Sequence, residues 1–232
     1  MGVLLTAGLV CLLIGQCGND SAPAAAPDPP GLTLENGWLE GPRKLSGVAC
    51  LGLVADVSSS MGSWTAARSN ALAQLETFAH ANLKADDLLA AIVFSDSAVV
   101  TLQPTRIHDL PGRMLPETIG GGGTLFAPVV DKVTETFAGR GCAATAVAVI
   151  SDGGVGDDPS TLAGRIENAR FDELAFLVPD STGNGSAQIP VALAQPDLAR
   201  TISVRFFGDD STLGASYGEL LAGLTGRRFT LR

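Results

Sequence analysis

The sequence predicts an α/β fold on an open, mostly parallel sheet, and three observations carry that prediction. Short apolar runs alternate with segments of helical period along most of the chain, the pattern of strands joined by crossover helices. Two of the runs, Val48 to Ala55 and Ala143 to Ile150, are almost continuously apolar, the mark of parallel strands covered on both faces. Each then stops in acid and hydroxyl, at Asp56-Val57-Ser58-Ser59-Ser60 and at Ser151-Asp152-Gly153.

Between these landmarks the elements follow in order. Ser63 is the expected N-cap of a helix in which Trp64, Ala67, Ala71, Leu75, Phe78 and Ala79 recur at three- and four-residue spacing, to about Leu83. Leu88 to Phe94, the turn Ser95-Asp96-Ser97 and Ala98 to Leu102 read as a hairpin, which makes the second run an antiparallel edge strand. Thr105 to Glu117, broken by Pro111 and Pro116, leaves room for one short helix. Gly120 to Gly123 lead into Thr124, where a helix carried by Phe126, Val129, Val130, Val133 and Phe137 opens, and Gly139 ends it. No Lys follows the glycines, so they are not a P-loop. After Asp152, Asp157 or Asp158 caps a helix with Pro159 in its first turn, ending near Arg170. Leu174 to Val178 and Thr201 to Phe207 are further strands, with a short helix expected between Pro179 and Arg200. Ser216 to Leu224 is the last helix, and Phe229 to Leu231 a terminal strand.

Composition narrows the function. The 232 residues carry a net charge of −9 and no Lys- or Arg-rich block, which excludes a nucleic-acid binder with a basic face. Two histidines, His80 and His108, are too few for a multi-histidine metal site and read as surface or packing residues. No Ser-His-Asp spacing, CxxC or HExxH pattern occurs, so no catalytic residue is assigned and an enzyme is not expected.

The amino terminus points to export. Val3 to Ile14 has the length of a signal-peptide core and is short for a membrane span. Leu13-Ile14-Gly15-Gln16-Cys17 resembles a bacterial lipobox, in which Cys17 would carry lipid and become the mature terminus. Residues 1–17 are therefore read as a lipoprotein-type signal peptide, with ordinary cleavage and secretion or an uncleaved anchor as alternatives. Gly18 to Pro30 is a Pro-, Ala- and Asp-rich tether, and Leu32 to Ser46, with Trp38, is a loop or short edge strand. Residues 18–46 are thus linker and lead-in, and 47–232 the domain.

In open α/β sheets, sites form at the carboxyl ends of strands where strand order reverses. Asp56, Thr124 and Asp152 occupy such loop positions. Asp56-Val57-Ser58-Ser59-Ser60-Met61-Gly62, the Gly120 to Thr124 turn and Ser151-Asp152-Gly153 together resemble the von Willebrand factor A (VWA) domain and its metal-ion-dependent adhesion site. The resemblance covers about residues 47 to 232. It implies a doubly wound, Rossmann-like sheet with helices on both faces and one antiparallel edge. It also implies that Ser58, Ser60 and Thr124 are direct hydroxyl ligands of Mg2+ (or Mn2+ or Ca2+), with Asp56 and Asp152 behind them holding waters and hydroxyls. An Asp or Glu of a partner protein would complete the ion's shell. Membrane contact would come only through lipid on Cys17.

Some alternatives stay open. One is an Mg2+-dependent hydrolase using Asp56 and Asp152; another is a scaffold whose metal site does not work. If Thr201 to Asp209 is the family's fifth strand, residues 174–200 are an insertion; otherwise Leu174 to Val178 is that strand. The first arrangement is favoured here. Cys50 and Cys142 lie six and ten residues back from Asp56 and Asp152. At ~3.3 Å per residue they are offset by roughly 13 Å, so buried free thiols are expected.

Overall fold

The computed structural model describes residues 33–112, 121–180 and 202–231. The signal-peptide and tether assignments over 1–32, the lipidated Cys17, Gly120 and most of the 181–201 segment's expected helix lie outside these residues. Among the described residues eight strands and four α-helices follow one another: β1 (Gly37–Glu40), β2 (Val48–Asp56), α1 (Thr65–Asn82), β3 (Leu88–Phe94), β4 (Ala98–Arg106), α2 (Ala127–Phe137), β5 (Cys142–Ile150), α3 (Pro159–Ala169), β6 (Glu173–Pro179), β7 (Ile202–Phe207), α4 (Asp210–Thr225) and β8 (Arg228–Leu231).

Six strands form the main sheet in the order β4-β3-β2-β5-β6-β7, parallel except for the β3–β4 pair. The expected antiparallel edge is therefore present, as are the two buried central strands. Alternate side chains of each strand serve two cores. Leu51, Leu53, Ala146, Ala148, Ala175 and Leu177 face α1 and α4. Val54, Ile92, Val147, Val149, Phe176 and Val178 face α2 and α3. The sheet is thus doubly wound, with apolar surface on both faces removed from water at roughly 25 cal/mol per Å2. Among the described residues no helix is long and apolar enough to cross a membrane.

Four expectations need correction. The first is the start of α1. Ser63 does not cap it: Ser59–Trp64 form a 3-10 stretch, and α1 begins at Thr65 behind Trp64. A tight turn of this kind follows from carrying the chain sharply away from the loop after β2.

The second is the reach of the domain. The lead-in packs as part of the core, with Leu34 and Leu39 fully buried. Leu34 N–H donates to Gln74 Oε1 and Leu39 N–H to Asn82 Oδ1, both on α1. β1 then pairs with β8 in a separate two-stranded antiparallel ribbon, so the terminal strand does not extend the main sheet. Arg227 binds this ribbon to α1 by donating to the carbonyls of Leu39, Gly41 and Asn82.

The third is the insertion. Leu174 to Val178 belongs to β6, in register between β5 and β7. Its residues are among the most buried in the chain, with Leu174, Ala175 and Leu177 at 0% exposure. Leu174 to Val178 is thus a strand of the main sheet and not part of an insertion.

The fourth is the cysteine pair. Cys50 and Cys142 form a disulfide with their Cα atoms 5.6 Å apart, inside the span such a bond accepts. The 13 Å offset fails because Asp152 is not the residue opposite Asp56. Ala55 pairs with Ile150, and an irregularity between Val48 and Ala49 takes up one further residue of β5. Cys142 consequently pairs with Val48, two positions from Cys50.

Candidate metal site at the sheet switch point

β2 connects to β3 on one side of the sheet, whereas β5 lies on its other side. The strand order therefore reverses between β2 and β5, and the loops leaving their carboxyl ends flank a crevice. The parallel register sets Asp56, the last residue of β2, beside Ser151, the first after β5.

Asp56 is fully buried. Its Oδ1 accepts from Ser58 N–H at 2.8 Å, and its Oδ2 accepts from Ser151 Oγ at 2.7 Å. One carboxylate thus fixes the turn after β2 and ties it to the end of β5. Ser151 Oγ in turn accepts from Gly153 N–H at 3.2 Å, which carries the same restraint into the second loop. Ser58 is buried, Ser60 is exposed, and their hydroxyls lie 3.1 Å apart. The alternation read in the sequence does converge: these two hydroxyls and Asp56 share one turn.

Asp152 stands in the loop after β5 and Thr124 just before α2, and a backbone bond links these two segments. Asp152 is partly exposed, and its Oδ1 accepts from Gly154 N–H at 3.1 Å. Thr124, also partly exposed, accepts at its carbonyl from Gly156 N–H at 2.8 Å. Leu125 N–H donates to Ser95 O at 2.7 Å, on the loop leaving β3. The Thr124 segment is therefore laced to loops on both sides, and Phe126 anchors it below. Its buried ring packs edge-on against Phe94 and Phe176, with centroids 5.8 and 5.0 Å away.

Sequence reasoning missed two residues here. Arg68 of α1 is 3% exposed and donates from Nη1 to Asp56 O at 2.9 Å. Burial presses its pKa down, while the nearby Tyr217 and Asp56 oppose that shift. The helical period put Ala67 inward, and nothing in the sequence marked the neighbouring cation as buried. Tyr217 itself is fully enclosed, and burial holds its hydroxyl far above the ordinary phenol range, in the neutral form. The second missed residue is Asp157. Its carboxylate accepts from Phe126 N–H at 2.5 Å and Ala127 N–H at 3.0 Å, so it caps α2 across a gap of thirty-odd residues. Asp158 alone caps α3.

The donors gathered here are all oxygen, which fits a hard dication such as Mg2+, Mn2+ or Ca2+. Among the described residues no three His, Cys, Asp or Glu side chains cluster as a metal site, so a cation here would depend on hydroxyls. His80 is exposed on α1, and His108 Nδ1 lies 3.1 Å from Ala85 O, away from this turn.

No family model matches the chain, and no curated protein sequence matches it. Solved structures do. The conserved hypothetical protein BatB of Bacteroides thetaiotaomicron superposes with a TM-score of 0.56 at 14% identity, over 78% of this chain and 100% of that one. A von Willebrand factor type A protein from Catenulispora acidiphila gives 0.56 at 17% identity, over 77% of this chain and 43% of that one. The chain has a VWA-like fold. A manganese-loaded TRAP protein from Plasmodium vivax agrees, with a TM-score of 0.55 at 17% identity over 84% of this chain and 79% of that one.

Proposed function

We propose that this VWA-like domain binds a partner protein through a divalent cation, and that the partner's own Asp or Glu completes the ion's shell. The observation that carries the reading is Asp56: a fully buried carboxylate, bound on both oxygens, that orients the turn bearing two adjacent hydroxyls. Ser58, Ser60 and Thr124 would hold the ion, with Asp56 and Asp152 standing one shell behind.

Hydroxyl ligands are neutral. An ion held by them keeps more of its positive charge than one held by carboxylates, and it attracts an external anionic oxygen more strongly. The buried Arg68 donates to the Asp56 carbonyl and helps to fix the end of β2 that carries this turn. Such a contact is charge-assisted and is lost on chelation.

Export is part of the proposal. Its support is the Cys50–Cys142 disulfide, a bond that persists in oxidising compartments, together with the apolar leader and Cys17. A lipid on Cys17 would hold the domain at a membrane surface.

Calorimetric titration of Mg2+ and Mn2+ into the protein, beside Ser58→Ala/Ser60→Ala, tests the reading. Manganese is a suitable second probe because the TRAP structure carries it. Saturable binding that vanishes in the double variant is expected. Equal binding by both proteins would remove the serines from the site.

A further inference from the structure

Of the proposed ligands, Thr124 alone lies outside the loops that follow β2 and β5. The residues described before it, Gly121 to Gly123, bring no side chains to hold it, and glycine gives the backbone its widest freedom. What fixes Thr124 acts on its own carbonyl and on the residues after it. Phe126 is the N-cap of α2, yet it has no side-chain oxygen to satisfy the first N–H groups of the helix. Asp157, from the loop after β5, supplies both acceptors. Its neighbour Gly156 binds the Thr124 carbonyl. Two consecutive residues of the Asp152 loop thus grip the segment from 124 to 127.

We infer that Asp157 is a positioning residue for the metal site: its carboxylate clasps the start of α2 and so sets Thr124 against the turns of Asp56 and Asp152. This inference rests on the reading of Thr124 as a ligand. The clasp uses both oxygens, one on each N–H, so Asn cannot replace it; the amide nitrogen would face an N–H donor. It also places a negative charge at a helix amino terminus, where the backbone dipoles favour it.

The test uses the full chain in four forms: wild type, Asp157→Asn, Thr124→Ala, and the double variant. Mn2+ affinity is read by the electron-spin-resonance signal of the free ion, and folding by circular dichroism. Outer residues that orient ligands are typically worth 10–100-fold in metal affinity, so Asp157→Asn is expected to weaken Mn2+ binding about tenfold or more. Acting through Thr124, it should cost nothing further in the Thr124→Ala background. That non-additivity is what a merely structural role would not produce. A folded Asp157→Asn with wild-type affinity overturns the inference, as does a loss that adds in full to that of Thr124→Ala. A wild type that binds no Mn2+ overturns the metal reading as well, which separates the two failures. Should Asp157→Asn not fold, Asp157→Ser keeps one acceptor and is judged by the same criteria.

Discussion

Removing the disulfide offers a quantitative test of the architecture. Cys50 and Cys142 are 92 residues apart in sequence, so their bond closes a loop that includes α1, the β3–β4 hairpin and α2. The loop-entropy relation for a closure of that length gives about 16 cal/mol/K, or ~4.6 kcal/mol at 25 °C. Native packing changes little on Cys50→Ala/Cys142→Ala, because the side chains are small. A loss of roughly 3–5 kcal/mol is therefore expected, a large share of the 5–15 kcal/mol that a domain commands. Urea unfolding measures it. Because the cross-link acts on the unfolded chain, the variant should also show a larger m-value, its denatured state being free to expand. A loss below about 1 kcal/mol with an unchanged m-value would refute the reasoning, as would mass spectrometry finding Cys50 and Cys142 as free thiols.

Three further outcomes follow from specific contacts. Asp87 is 1% exposed at its side chain and accepts from both Arg43 terminal nitrogens, Ala49 N–H and Lys84 N–H. Asp87→Ala removes a buried carboxylate that accepts four hydrogen bonds, two of them from the part-buried Arg43 guanidinium, and should cost about 3–5 kcal/mol in thermal or urea unfolding. Gly218 faces Phe229, whose ring would lie 2.3 Å from an added Cβ, so Gly218→Ala should destabilise by about 1–3 kcal/mol, despite its better helix propensity. Asp209 heads α4 in a capping box, and the Thr212 N–H holds its carboxyl below the ordinary value. Asp209→Ala should cost about 1 kcal/mol at neutral pH. Because the folded pKa is depressed, that stability is present above the unfolded value near 3.9 and is lost as pH falls through the folded one. Melting curves of wild type and variant should therefore converge in acid.

Much of this molecule was legible because its strands are continuous apolar runs that stop abruptly. β2 and β5 announce themselves in that way, and so does the β3–β4 hairpin with its three-residue turn. The hydroxyl alternation of Ser58 and Ser60 is local, so it survived folding unchanged. What stayed hidden depends on register and on partners distant in sequence. One irregularity between Val48 and Ala49 moves Cys142 into reach of Cys50, and no residue pattern encodes it. Asp157 and Asp158 look alike in the sequence, yet only the fold sends one to α2 and the other to α3. Leu174 to Val178 looks like a strand in isolation; its place between β5 and β7 is a property of the sheet. The β1–β8 ribbon joins residues from the two ends of the domain, a pairing that local propensity does not reveal.

The central claim is that a cation sits on hydroxyls, with the acids behind. Anomalous diffraction at the manganese edge, from Mn2+-soaked crystals, addresses it most directly. The account predicts one peak, bound by the hydroxyl oxygens of Ser58, Ser60 and Thr124 at about 2.0–2.3 Å, with Asp56 and Asp152 reaching it through water. A peak ligated directly by both carboxylates, or no peak in this crevice at saturating Mn2+, would contradict it.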